Sequence, residues 1–295
     1  MARFTASETV PMNSPAAAPE PGFSIAESFR KLRNLGRLLP AFIIIGTQRG
    51  GTTSLFNYLC QHPSIAAPRH REIHYFDRNF GRGIGWYQKH FRRVINGDAI
   101  TGESSPYYMF HPLVPGRMAA ALPSVKLIVL LRNPIDRAYS HYQHVRKKNK
   151  ETLAFEEALD AEEKRLAGED AKLWRDPDYY SEHHHRHAYQ ARGIYADQLP
   201  AWLEHFPRTQ MHIVKSEEMY AEPGGAVATT LEFLRPDWAG DLARGDFRQH
   251  NASESEPMPP RLRERLTEYF RPHNQRLYHL LGRDFGWELT DTRVA

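Results

Sequence analysis

Residues 41–59 read AFIIIGTQRGGTTSLFNYL, and three pieces follow one another in that stretch. Phe42 to Ile45 is a short run of β-branched and aromatic side chains, the composition of a strand buried on both faces. Gly46 to Thr53 is a glycine-bearing turn, and from Ser54 to Leu59 the apolar residues sit on one side of a helix. A strand, a small-residue loop and a helix N-terminus in that order make an anion cradle. Backbone N–H groups converge in the loop, and the helix dipole adds partial positive charge. Thr52, Thr53 and Ser54 bring hydroxyl donors, and Arg49 brings a fixed cation whose fork suits an oxyanion. Gly46 and Gly51 have the spacing of the nucleoside-triphosphate loop G-x-x-x-x-G-K-[ST], but Thr52 stands where that loop has its lysine. The loop therefore suits a phosphate yet lacks the residue that reaches the outer phosphates of ATP or GTP. An ordinary βα turn uses the same small residues, so this stretch alone leaves that reading open.

A second strand signal, KLIVLL from Lys126 to Leu131, runs straight into Arg132-Asn133-Pro134. Asn133-Pro134 breaks the strand, a helix starts near Ile135, and Ser140 lies about two turns into it. Ligands of open parallel sheets bind at the carboxyl ends of strands. The two strand ends, at Gly46 and at Arg132, are thus expected to face one ligand that carries two anionic groups.

The rest of the chain supports an α/β reading. Strand-like runs at Ile65 to Ala67, Ile100 to Ser105 and Met211 to Val214 alternate with helical patterns at Trp86 to Phe91, Pro112 to Leu122, Gly193 to His205, Val227 to Leu234 and Arg261 to Leu281. This alternation predicts one domain with a central parallel sheet flanked by helices, over residues 38–290. Residues 1–37 read as a flexible segment rich in Ala, Pro, Ser and Thr, with a short amphipathic helix from Ser24 to Leu39. Lys147 to Leu173 is charge-rich and helical, its charges read as solvated. The histidine run Ser181 to His187 is not expected to bind a metal, because neighbouring histidines point in different directions.

At 295 residues the chain is long enough for one large α/β domain. A net charge of +4 suits an anionic ligand and is too small to argue for nucleic acid. One cysteine, Cys60, rules out an intramolecular disulfide and any Cys-rich zinc site, and fits a reducing compartment. No run of about 18 apolar residues is present, so no membrane span is expected. The expected location is cytoplasmic, and oligomeric state is not readable.

Four segments together resemble the sulfotransferases that use 3′-phosphoadenosine 5′-phosphosulfate (PAPS), most closely the heparan-sulfate type, over about Phe42 to Trp287. IIIGTQRGGTTSL is similar to that family's 5′-phosphosulfate loop, REIHYFD to its K-E-x-H-F-F-D segment, and IVLLRNPIDRAYSHY to its 3′-phosphate motif. The helix–strand segment GIYADQLPAWLEHFPRTQMHIVKSEEM and the closing EYFRPHNQRLYHLLGRDFGWE follow in family order. The resemblance implies a P-loop, nucleotide-kinase-like fold. It implies that Thr47, Gln48, Arg49, Gly50, Gly51, Thr52, Thr53 and Ser54 hold the 5′-phosphosulfate, and that Arg132 and Ser140 hold the 3′-phosphate. It makes Glu72 the base that takes the acceptor proton, Arg49 the cation beside the leaving oxygen, and His74 and Asp77 the lining of the acceptor site, with His74 also catalytic. The acceptor would be a small molecule or oligosaccharide offering a hydroxyl or amine, and the product nucleotide would be PAP.

The sequence departs from the family at three places. Arg49 stands where the heparan-sulfate group usually has lysine, Gln198 where a histidine is common, and FRQHNASESEP replaces a cysteine-paired basic loop, leaving Arg248 as its nearest cation for the 3′-phosphate. Two other readings stay open on sequence: a P-loop kinase or NTPase, and a non-catalytic protein that binds PAPS or an anionic glycan.

Overall fold

The computed structural model describes residues 37–93, 98–238, 241, 245–248 and 256–288. Five strands form one sheet in the order β2-β3-β1-β4-β5. They are β1 Phe42–Gly46, β2 Ile65–Ala66, β3 Ile100–Ser104, β4 Lys126–Leu131 and β5 Met211–Lys215. Every pairing is parallel, so the expected all-parallel sheet with flanking helices is the one found. In chain order the helices are α1 Thr52–Leu59, α2 Tyr75–Arg78, α3 Ile84–Gln88, α4 Val114–Ala121, α5 Pro134–Lys147, α6 Phe155–Leu166, α7 Glu169–Arg175, α8 Glu182–Arg186, α9 Tyr195–Leu203, α10 Ser216–Ala221, α11 Pro223–Leu234 and α12 Pro260–Leu281.

Parallel strands need helical crossovers, which cover both faces of the sheet, so central strands read as unbroken apolar runs. Side chains of β1 divide accordingly. Ile43 and Ile45 join a core with Val129, Leu131 and Trp202, whereas Phe42 and Ile44 pack with Leu55, Ile128 and Leu130 on the other face. A third cluster joins α5, α6 and α12 through Ile135, Leu159, Leu266 and Phe270.

Two expectations are corrected, and a third falls mostly outside the described residues. Helix α1 starts at Thr52, not Ser54, because Gly51 takes the left-handed cap position with φ 92°. The charges of Lys147 to Leu173 are not all solvated, since Glu151, Glu162 and Glu169 are buried. Each meets donors, most of them beyond the segment: Glu151 takes Arg165 and Tyr189, Glu162 takes the N–H groups of Tyr189, Gln190 and Ala191, and Glu169 takes Tyr179 and Lys172. The amphipathic helix read over Ser24 to Leu39 lies mostly outside the described residues, and its described end is not helical, since Arg37 bridges Arg93 in antiparallel fashion. Among the described residues no helix is long and apolar enough to cross a membrane.

Candidate active site

The turn after β1 is built for close approach. A Cβ on Gly46 would lie 2.6 Å from Met109 Cβ, and one on Gly51 would lie 2.6 Å from the Tyr220 hydroxyl. Arg49 itself has φ 69°, a left-handed conformation inside the turn, of the kind that gathers N–H groups into an anion-binding concavity. The turn is braced from outside. Thr47 N–H donates to Leu130 O at 2.8 Å, and Ser216 at the start of α10 donates to Gly50 O at 2.7 Å.

β1 and β4 are adjacent, and their carboxyl ends meet. Arg132 Nη1 donates to the carbonyl of Arg49 at 2.9 Å, and Arg49 Nε donates to Ser140 Oγ at 2.9 Å. Tyr195 closes the arrangement: its hydroxyl donates to Arg132 O at 2.9 Å and bonds the Thr47 side chain. The loop residues 47–54, Arg132 and Ser140 are therefore brought together, as the two-anion reading requires. Burial, and then the like charge of Arg132, push the Arg49 pKa down. Crowded cations of this kind gain from a bound anion.

On the acceptor side, His74 has φ 53° and joins two carboxylates. Its Nδ1 donates to Asp77 Oδ2 at 2.8 Å, and its Nε2 lies 3.6 Å from Glu72 Oε2. Arg71 Nη2 donates to the other oxygen of Glu72 at 3.0 Å. Burial alone would raise the Glu72 pKa and lower that of His74. The His74 and Arg71 hydrogen bonds reverse the first, holding Glu72 at about 2, and Asp77 with Glu72 reverse the second, raising His74 to about 9. The Glu72 side chain is 39% exposed and that of Asp77 is 0% exposed. The Glu72 carboxylate thus reaches the surface, whereas that of Asp77 is enclosed against His74. Behind them Glu103, at the end of β3, accepts from Ile73 N–H, Tyr87, Tyr108 and Ser105, which fixes the segment that carries Glu72.

The Arg248 side chain has no hydrogen bond to Arg49, Arg132 or Ser140 among those described. It is paired with Asp246 at 2.6 Å and largely exposed, while its carbonyl accepts from Tyr58 of α1. Gln198 is tied to backbone carbonyls of 192 and 194, away from any acceptor role. The histidines of α8 and its end are each engaged within the protein: His184 with Tyr107, His185 with Arg78 and Tyr180, and His183 with His187.

Two residues beside this group escaped sequence reasoning. His144 lies one turn beyond Ser140 on α5, and its pKa is pulled to about 4 by burial, then by Lys148 and Arg49, against the pull of Glu72. The i, i+4 spacing from Ser140 was the available signal. Arg192 reaches Gln48 of the donor loop, and nothing local in Ala191-Arg192-Gly193 announced that contact.

An all-parallel α/β sheet whose adjacent strand tips gather arginines around a glycine turn has the build of a P-loop-like protein. The family model for the sulfotransferase domain matches residues 39–243, more than half of the chain, and the chain belongs to that family. Membrane-associated sulfotransferase kil1 of Dictyostelium discoideum is 30% identical over 85% of this chain and 67% of its own length. Heparan sulfate glucosamine 3-O-sulfotransferase 3B1 of Homo sapiens is 32% identical over 85% of this chain and 65% of its own. Similarity to these relatives puts the chain on the heparan-sulfate side of the family, and it spans about two thirds of their length. A crystal structure of a sulfotransferase from Alicyclobacillus acidocaldarius superposes with a TM-score of 0.68 at 34% identity, covering 85% of this chain and 99% of that one. The matched region contains every expected site residue except Arg248.

Proposed function

We propose that this protein is a PAPS-dependent sulfotransferase that modifies a hydroxyl or amine of a carbohydrate acceptor, with Glu72 as base. The observation that carries the reading is the meeting of the two strand tips, with Arg132 on the Arg49 carbonyl and Arg49 on Ser140. The donor set fits the nucleotide: a loop of N–H groups and hydroxyls for the phosphosulfate, and a guanidinium with a hydroxyl for the second phosphate. PAPS, when bound, supplies the sulfuryl group, which passes to the acceptor oxygen while the electron pair of the broken S–O bond stays on phosphate and PAP leaves. Arg49 stabilises the charge that develops on that phosphate oxygen. Glu72, ionised and exposed, takes the acceptor proton, and His74, held charged by Asp77, orients it. Arg248 joins the 3′-phosphate contacts only by exchanging Asp246 for phosphate. The relatives named for heparan sulfate support a sugar acceptor, and the single cysteine fits a cytoplasmic location.

Mass spectrometry of the protein with PAPS and a panel of acceptor sugars tests this. PAP together with an acceptor heavier by one sulfuryl group is the expected result. ATP consumption would point to a kinase or NTPase instead, and PAP binding without any sulfated product to a binding protein.

A further inference from the structure

Arg192 is 2% exposed, and its hydrogen bonds go to three carbonyl oxygens. Its Nη1 donates to Gln48 Oε1 in the turn after β1, and its Nη2 donates to the carbonyls of His184 at 3.1 Å and His185 at 2.6 Å. The guanidinium lies 4.7 Å from the Tyr107 ring centroid and 5.2 Å from that of Phe110. Burying a guanidinium with no carboxylate bonded to it is costly, so such a group persists where its geometry matters. That geometry is fixed from behind. The Glu162 carboxylate accepts the N–H groups of residues 189–191, and Gln198 donates to the Arg192 carbonyl at 3.1 Å. In front, the His185 ring accepts from Arg78 Nη2 at 2.6 Å, and Arg78 adjoins Asp77, the partner of His74.

We propose that Arg192 is a positioning residue that ties the donor loop, through Gln48, to the acceptor-side segment 184–185, so that both halves of the site are held by one planar fork. This rests on the reading of residues 46–54 as the donor loop. A guanidinium fits the task because it serves three acceptors in one plane while stacking on aromatic rings. Lysine keeps the charge and loses the plane.

The test uses the full-length protein with Gln48→Ala, Arg192→Lys and the double variant. Amide hydrogen exchange of residues 47–53 is expected to quicken about tenfold in each single variant. The double variant is expected to be no faster than Arg192→Lys, because both changes break the same contact. Gln48→Ala should raise the KM for PAPS alone, while Arg192→Lys raises the KM for PAPS and for acceptor together. Exchange at the wild-type rate in both single variants, or additive effects in the double variant, overturns the tie. If Arg192→Lys does not fold, Gln48→Ala decides alone, since it leaves Arg192 and its carbonyl contacts in place. Failure of the wild type to bind PAP would sink the donor-loop reading, and the exchange rates would still judge the Gln48–Arg192 tie.

Discussion

Glu72 and His74 carry the sharpest consequences at the scale of single residues. Glu72→Gln should keep PAP affinity and lower kcat about 10³-fold, the range of a lost general base, measured by single-turnover sulfate transfer. The pH profile follows from the shifts. Glu72, at about 2, stays ionised across the working range, and His74, at about 9, stays charged up to that pH. The profile of kcat/KM should therefore be level from about pH 5 to about pH 8 and fall as His74 deprotonates near 9. Asp77 is the partner that most raises His74, so Asp77→Asn should move that limb toward neutral pH. An unmoved limb would assign it to another group. Arg132→Ala should weaken PAP about tenfold or more and hardly affect an analogue without the 3′-phosphate, measured by calorimetry.

At the scale of elements, the turn after β1 depends on Gly51. Gly51→Ala places a side chain at φ 92° and against the Tyr220 hydroxyl. It should cost about 2 kcal/mol in urea unfolding and weaken PAP binding besides, whereas an alanine at exposed Thr229 should change neither. The same turn was legible in the sequence because its information is local: a β-branched run, glycines at fixed offsets and hydroxyls at the helix start. β4 and its Arg132 were legible for the same reason. The buried glutamates were not. Helical spacing of 147–173 cannot show that Glu162 meets the backbone of 189–191, and the Gln48–Arg192 contact spans 144 residues of chain. Cα spacing also hid the start of α1, which hinges on the left-handed Gly51. The resemblance to a known family supplied the assignment of Glu72, which residue types alone would have left as one charge in a mixed loop.

For the molecule as a whole, a bound nucleotide and the pH should each shift stability, through different groups. PAP at 100 times its Kd should add about 2.7 kcal/mol to stability, a rise in Tm of about 5–10 °C by calorimetry for a domain of this size. ATP at the same concentration should do much less if the 3′-phosphate contacts matter. The two acceptor-side groups set opposite ends of the pH range. The His74 pKa is raised on folding, so its contribution is full below about 6.5 and is lost as pH climbs through about 9. The Glu72 pKa is depressed, so its contribution is present above about 4.5 and is lost as pH falls through about 2.

The fork of Arg192 has a practical corollary for anyone grafting specificity. Segment 181–187, a short histidine-rich helix, looks like a self-contained piece to exchange, yet its backbone shares a bolt with Gln48. A replacement that displaces the carbonyls of His184 and His185 will loosen the turn after β1 as well, so any exchange should carry positions 48, 107 and 192 across as a set.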